Sequence, residues 1–157
     1  MTQGATASEL ELSNQLGGRP LMLYDGLCGM CNRAVRWVTQ RDHADRFRFV
    51  TQQSPLAAAI LRRHGIDREA MLKNNSVYLV LDAGSDHERL LAQSDVTVHI
   101  FLVLGGRWRV LGFLLRAVPL FARNAAYRLF ASNRYRLSGR YEVCPLLSEA
   151  ERMKFLG

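Results

Sequence analysis

The chain has 157 residues, 48% apolar and 22% charged, with a formal net charge of +7. That length suits one domain whose core needs no staples. Three cysteines are too few for a secreted disulfide scaffold. The longest apolar stretch of interest, Val96 to Gly106, has 11 residues and contains His99, against the roughly 20 needed to span a bilayer.

Met1 to Gly18 is small and polar, carries Glu9 and Glu11 without Lys or Arg, and ends in Gly17-Gly18. It does not read as an export signal, and a mobile tail is expected there. The expected compartment is therefore the reducing cytoplasm, with Cys28 and Cys31 resting mostly as thiols. Leu21 to Tyr24 reads as a buried strand. Cys28 to Gln40 reads as a helix with Cys31, Ala34, Val35 and Val38 on its apolar face. Arg46 to Thr51 alternates, placing Phe47 and Phe49 on one side of a second strand. Ser54-Pro55 opens a helix through Leu56 to His64 that Gly65 stops. Ser76 to Leu81 is a third strand. The turn Ala83 to Asp86 leads to a fourth, His87 to Ala92. Ser94 is expected to cap a helix through Val96 to Leu104, ended by Gly105-Gly106.

This βαβαββα order gives a mixed sheet with helices on both faces, an α/β fold in the order of the thioredoxin core. Residues 19–106 form that core on this reading. Residues 107–157 form a helical, basic extension on the same domain. Trp108, Leu111, Leu115 and Val118 follow a helical stripe, Pro119 breaks it, and Leu120 to Ala131 is a further helix. The charge is uneven. Up to His99 there are 11 basic and 11 acidic residues, while Ile100 to Gly157 has 10 and 3. The arginines of the extension, including Arg107, Arg109, Arg116, Arg123 and Arg128, read as a solvated helix face. An acidic partner or an anionic membrane surface is the alternative.

The chemistry concentrates in Tyr24-Asp25-Gly26-Leu27-Cys28-Gly29-Met30-Cys31. Two thiols three residues apart on a first helical turn share one face, with Cα atoms about 5 Å apart, within disulfide reach. The N–H groups of the helix start favour a thiolate on the first sulfur. Cys28 at the helix tip is thus the expected nucleophile, and Cys31 on the core-facing stripe the resolving thiol. Gly29 and Met30 bring no cation, so the thiol pKa is expected nearer about 7 than the acidic value of a strong oxidant. Asp25 reads either as proton acceptor for Cys31 or as a turn residue. No metal is assigned, because Cys144 and the scattered His43, His64, His87 and His99 form no paired spacing. The reading calls for no cofactor beyond the redox-active Cys28–Cys31 disulfide.

The Asp25, Cys28 and Cys31 pattern resembles the signature of the DCC thiol-disulfide oxidoreductase family, named for Asp-x-x-Cys-x-x-Cys. The resemblance extends over Gln53-Ser54, the strand Ser76 to Leu81, Ser94-Asp95, Pro119 and Asn133-Arg134-Tyr135-Arg136, up to Cys144. It implies a thioredoxin-like domain and thiol-disulfide chemistry on a disulfide-containing protein or small thiol. Thioredoxins carry a cis-proline before the third strand, which positions an extended substrate. Here Lys73-Asn74-Asn75-Ser76-Val77 has none, which puts general protein-disulfide reduction in doubt. Tyr24, Gly29, Met30, Asn75 and Ser76 are the candidate substrate-binding residues, and Cys144 a candidate third thiol. The expected function is a reductant or exchange role. The alternative is a non-catalytic binding protein, holding a metal through the dithiol or an anionic partner through the Arg-rich helices. No nucleic-acid partner is expected.

Overall fold

The computed structural model describes residues 7–74, 76–139 and 152–156. Among these residues, four short strands, β1 (Leu21–Tyr24), β2 (Arg48–Thr51), β3 (Tyr78–Leu81) and β4 (Arg89–Ala92), form one sheet in the order β2-β1-β3-β4. β1 runs parallel to β2, with Leu21 opposite Arg48 and Tyr24 opposite Thr51. β3 runs antiparallel to both β1 and β4. Among the described residues, seven helices surround the sheet: α1 (Ala7–Leu16), α2 (Gly29–Arg41), α3 (Pro55–Arg63), α4 (Arg68–Asn74), α5 (Ser94–Leu104), α6 (Gly106–Ala117) and α7 (Leu120–Ser138). Topology and connections are those of a thioredoxin-like core with added C-terminal helices.

The period-two alternation of the strands divides the core between two faces. On one, Met22, Tyr24, Phe49 and Leu79 pack against Cys31, Val35 and Val38 of α2 and Val96 and Ile100 of α5. On the other, Leu21, Leu23, Val50, Tyr78 and Val80 pack against Ala57, Ile60 and Leu61 of α3 and Leu12 and Leu16 of α1. A strand whose residues are buried on both sides reads as a continuous apolar run, as Leu21 to Tyr24 does.

Three expectations need correction. Residues 7–16, read as part of a mobile tail, are helix α1, because Leu12 and Leu16 lie one turn apart and seal the second face of the sheet. Ser94 is not the N-cap of α5. Gln93 holds that place at φ 56 with no side-chain cap, and the Ser94 hydroxyl instead donates to Asn124 Oδ1 on α7. The stripe assigned to α6 is rotated. Trp108 is half-buried against Trp37 and Phe101, at centroid distances of 4.7 and 5.8 Å, whereas Leu111 and Val118 are exposed. Gly112 provides the close approach to α5, where a Cβ would lie 3.0 Å from Leu102 Cδ2.

The final described residues return to the sheet. Leu156 N–H donates to Phe49 O at 2.8 Å, and the Phe155 ring stacks on Phe49 at 5.1 Å. They shield the outer edge of β2, which would otherwise leave backbone groups unpaired.

Candidate functional site

Asp25, Gly26 and Leu27 carry the chain from β1 into α2. The Asp25 carbonyl accepts Cys28 N–H at 3.2 Å, and its Oδ1 accepts Leu27 N–H at 3.0 Å, closing a tight turn. The Asn32 amide, one turn into the helix, donates to Gly26 O at 2.8 Å and Cys28 O at 2.9 Å. Gln53 clamps the turn from the other side, donating to Asp25 Oδ1 at 2.9 Å and accepting Gly26 N–H at 3.2 Å. These bonds together fix where the first sulfur sits.

Cys28 is the N-cap of α2, and its Sγ accepts Cys31 N–H at 3.4 Å. Helix starts favour negative charge there. The Cys28 thiol is lowered from 9.0 to about 6. The main cause is the hydrogen bond from the Cys31 thiol, opposed by burial and supported by the Cys31 N–H and the Arg134 guanidinium. Cys31 is pushed in the opposite direction, first by that same hydrogen bond and then by burial. The two thiols therefore titrate as a pair that shares one proton.

Arg134, on α7, was not identified as a site residue by the sequence. Its Nη1 donates to Cys31 Sγ at 3.3 Å, and its Nη2 donates to Asp25 Oδ2 at 3.3 Å. Tyr135 donates its hydroxyl to the same Asp25 oxygen, and accepts from Arg134 Nη2 at 3.2 Å. Arg134 is buried, so its charge acts with little screening. The cation missing from Gly29-Met30 is supplied from 103 residues away. Its one sequence signal was the Asn133-Arg134-Tyr135-Arg136 landmark, which gives no hint of burial. Asp25 makes no hydrogen bond to either sulfur among the described residues. Its carboxylate holds the turn and orients Arg134.

The helix-tip position of Cys28 does not leave it exposed. Cys28 is fully buried and Cys31 is 5% exposed. The C-terminal end of α7 closes over the start of α2, where Gly29 N–H donates to Gly139 O at 3.4 Å. A Cβ at Gly29 would stand 2.4 Å from the Ser138 carbonyl oxygen. Gly29→Ala is therefore expected to push α7 outward. The overpacking cost of about 1–3 kcal/mol should exceed the helix-propensity gain of about 0.5–1 kcal/mol from removing a glycine. Urea denaturation of the reduced protein measures the balance.

Cys31, with Met30, Trp37, Phe101, Phe130 and Arg134, lines an apolar cavity of about 470 Å³ between α2, α5 and α7. Of the other candidate residues, Tyr24 and Ser76 are buried. Ser76 O accepts Gln52 Nε2 at 2.7 Å, and Val77 N–H donates to the Tyr127 hydroxyl at 3.1 Å. Backbone groups beside the dithiol, at the place of the thioredoxin proline, thus already have partners inside the protein. Asn75 and Cys144 lie outside the described residues. Among the described residues, no group of three His, Cys, Asp or Glu side chains is placed to hold a metal ion.

A mixed sheet in this order, with a cysteine pair opening the helix after its first strand, defines a thioredoxin-like dithiol protein. The chain belongs to the DCC1-like thiol-disulfide oxidoreductase family, whose model matches residues 22–140. It is 33% identical over 128 residues to a chloroplastic DCC family protein of Arabidopsis thaliana, covering 82% of this chain and 70% of that protein. It is 28% identical over 144 residues to YuxK of Bacillus subtilis (strain 168), a protein described as uncharacterized, covering 92% and 98% respectively. No solved structure is significantly similar to it.

Proposed function

We propose that the chain is a thiol-disulfide oxidoreductase that works as a reductant or exchange catalyst on disulfides bearing an apolar group. The observation that carries this reading is the polarised pair: one sulfur favouring thiolate at a helix start, the other in contact with a buried arginine. A Cys28 pKa of about 6 leaves this thiol ionised at neutral pH. It is less extreme than the value of about 3.5 seen where reduced thiolate is so stabilised that the protein becomes a strong oxidant.

In the forward direction the Cys28 thiolate attacks one sulfur of the substrate disulfide. The S–S bond breaks, a mixed disulfide forms, and the first substrate thiolate leaves and takes up a proton. Cys31 loses its proton and attacks Cys28 Sγ, releasing the second substrate thiol and closing the Cys28–Cys31 disulfide. The substrate is reduced by two electrons, and the dithiol is oxidised by two. Arg134 steadies the negative charge as it passes to Cys31. The cavity beside Cys31 supplies an apolar seat for one substrate arm. The partnered backbone at Ser76 and Val77 disfavours an extended peptide there. Because α7 closes over Cys28 at rest, attack by Cys28 requires its C-terminal turn to lift.

The roles are tested by single-cysteine variants treated with an aryl disulfide and followed by intact mass. The wild type should release both aryl thiols and end with an internal disulfide. Cys31→Ser should retain one aryl thiol on Cys28, and Cys28→Ser should react at least about tenfold more slowly, its remaining thiol being protonated. A stable adduct on Cys31 in Cys28→Ser, formed as fast as in the wild type, would reverse the assignment. No internal disulfide in the wild type would refute the function.

A further inference from the structure

Helices α6 and α7 leave an apolar surface that the core does not bury. Ten of the twelve exposed large apolar side chains of the described residues fall between Val110 and Leu137. Val110, Phe113 and Leu114 recur on one stripe of α6, and Phe121, Ala125 and Leu129 on one stripe of α7. Phe121 is 78% exposed and Leu129 69%. Monomeric proteins rarely leave so many large apolar side chains together on one element pair without a use for them.

The charge on the same helices has one sign. Residues 96–141 contain eight arginines and no aspartate or glutamate. Arg107, Arg109, Arg116, Arg128 and Arg136 are exposed. Arg107 lies over the half-buried Trp108 ring and Arg109 over the exposed Phe113 ring, at 5.1 and 5.9 Å, so cations and aromatic rings are interleaved. We propose that the α6–α7 pair is a docking surface for an anionic lipid bilayer, with apolar side chains entering the headgroup boundary and arginines pairing with lipid phosphates and carboxylates.

The other occupants fit the surface less well. A second copy placed face to face would bring two acid-free arginine sets together, at a Coulombic cost. A nucleic acid would satisfy the arginines but leave Leu114, Leu120 and Leu129 in water. A bilayer satisfies both, and interfacial helices combine basic residues with Phe and Leu in this way. No helix among the described residues is long and apolar enough to cross a membrane, so the contact is peripheral. Phe130 belongs both to this surface and to the lining of the cavity beside Cys31. Docking would therefore set that cavity beside the lipid phase, which suits the apolar substrate arm of the proposed function.

The test is co-sedimentation of the full chain with vesicles of phosphatidylcholine alone and of phosphatidylcholine mixed with phosphatidylserine. Binding should be roughly tenfold or more stronger on the mixed vesicles, and weaken as salt is raised. A Leu114→Asp, Phe121→Asp double variant should lose roughly tenfold or more of that affinity, with an unchanged circular dichroism melt. Arg116→Glu with Arg128→Glu should lose a similar amount. Exchange with soluble glutathione should be equal in all three proteins, so failure of docking is distinguishable from failure of the redox reading. No sedimentation with mixed vesicles would overturn the proposal. So would sedimentation indifferent to the apolar pair, which is what a purely electrostatic, nucleic-acid-type surface would give. A concentration-dependent dimer abolished by that double variant would assign the face to a second copy instead.

Discussion

Replacing Arg134 is expected to damage stability and thiol chemistry together. In Arg134→Met the Asp25 carboxylate, buried at the base of the turn, loses its charge partner, and Cys31 Sγ loses its donor. Removing one member of a buried ion pair costs about 3–5 kcal/mol, because the remaining charge stays desolvated. The Tyr135 hydroxyl and Gln53 amide still donate to Asp25, which should hold the loss toward the lower end. The Cys28 midpoint should rise by about one unit once the nearby cation is gone. Arg134→Lys is the informative companion. It keeps the charge, but a single ammonium lacks the planar fork that reaches Asp25 and Cys31 at once. Lys should therefore restore part of the stability and part of the pKa shift. Urea denaturation and ultraviolet thiolate absorbance measure the two effects. A methionine variant with wild-type stability and an unmoved midpoint would make Arg134 a bystander.

The second large effect is the pH dependence of the reduced protein. Cys28 titrates near 6 when folded and near 9.0 when unfolded. Between these values the unfolded chain binds a proton that the folded one does not, so stability rises with pH across that window. The contribution is complete above the unfolded value and is lost as pH falls through about 6. At about 1.4 kcal/mol per unit, the whole span amounts to a few kcal/mol. Cys31 is raised, so it stays protonated in the folded state; its unfolded form ionises only toward 9.0, so it adds no slope over the lower part of the window and opposes the rise at its upper end. Cys28→Ser should abolish the rise. A flat profile in the reduced wild type would mean that the folded state does not favour the Cys28 thiolate.

Much of this was readable in the sequence, because the responsible interactions are local. Period two in Arg46 to Thr51, the Ser54-Pro55 start and the glycine stops each depend on residues a few positions apart, and Ser54 Oγ does accept Ala57 N–H at 3.1 Å. The dithiol was legible for the same reason, since spacing and placement suffice to define it. What escaped depends on distance. Leu12 and Leu16 look like two leucines in a polar tail until the sheet supplies a face for them. Arg134 lies beyond the expected end of its helix at Ala131, and its role appears only when α7, running on to Ser138, crosses the start of α2. Burial of Cys28 follows from that same crossing. Helix α4, which was not expected, is short and follows Asp67, whose Oδ1 accepts Ala70 N–H at 2.7 Å. Trp108, read on a helical stripe, does pack inward, against Trp37 and Phe101. Phe113 is exposed, because Gly112 rather than Phe113 faces α5.

The central claim is that Cys28 and Cys31 form a working redox couple. Its most direct test is equilibration of the full chain in glutathione buffers of graded ratio, counting free thiols by mass after acid quench. A reversible two-electron transition with a midpoint between about −180 and −280 mV is the result this account predicts. Retention of both thiols, unmodified, in the most oxidising buffer would contradict it.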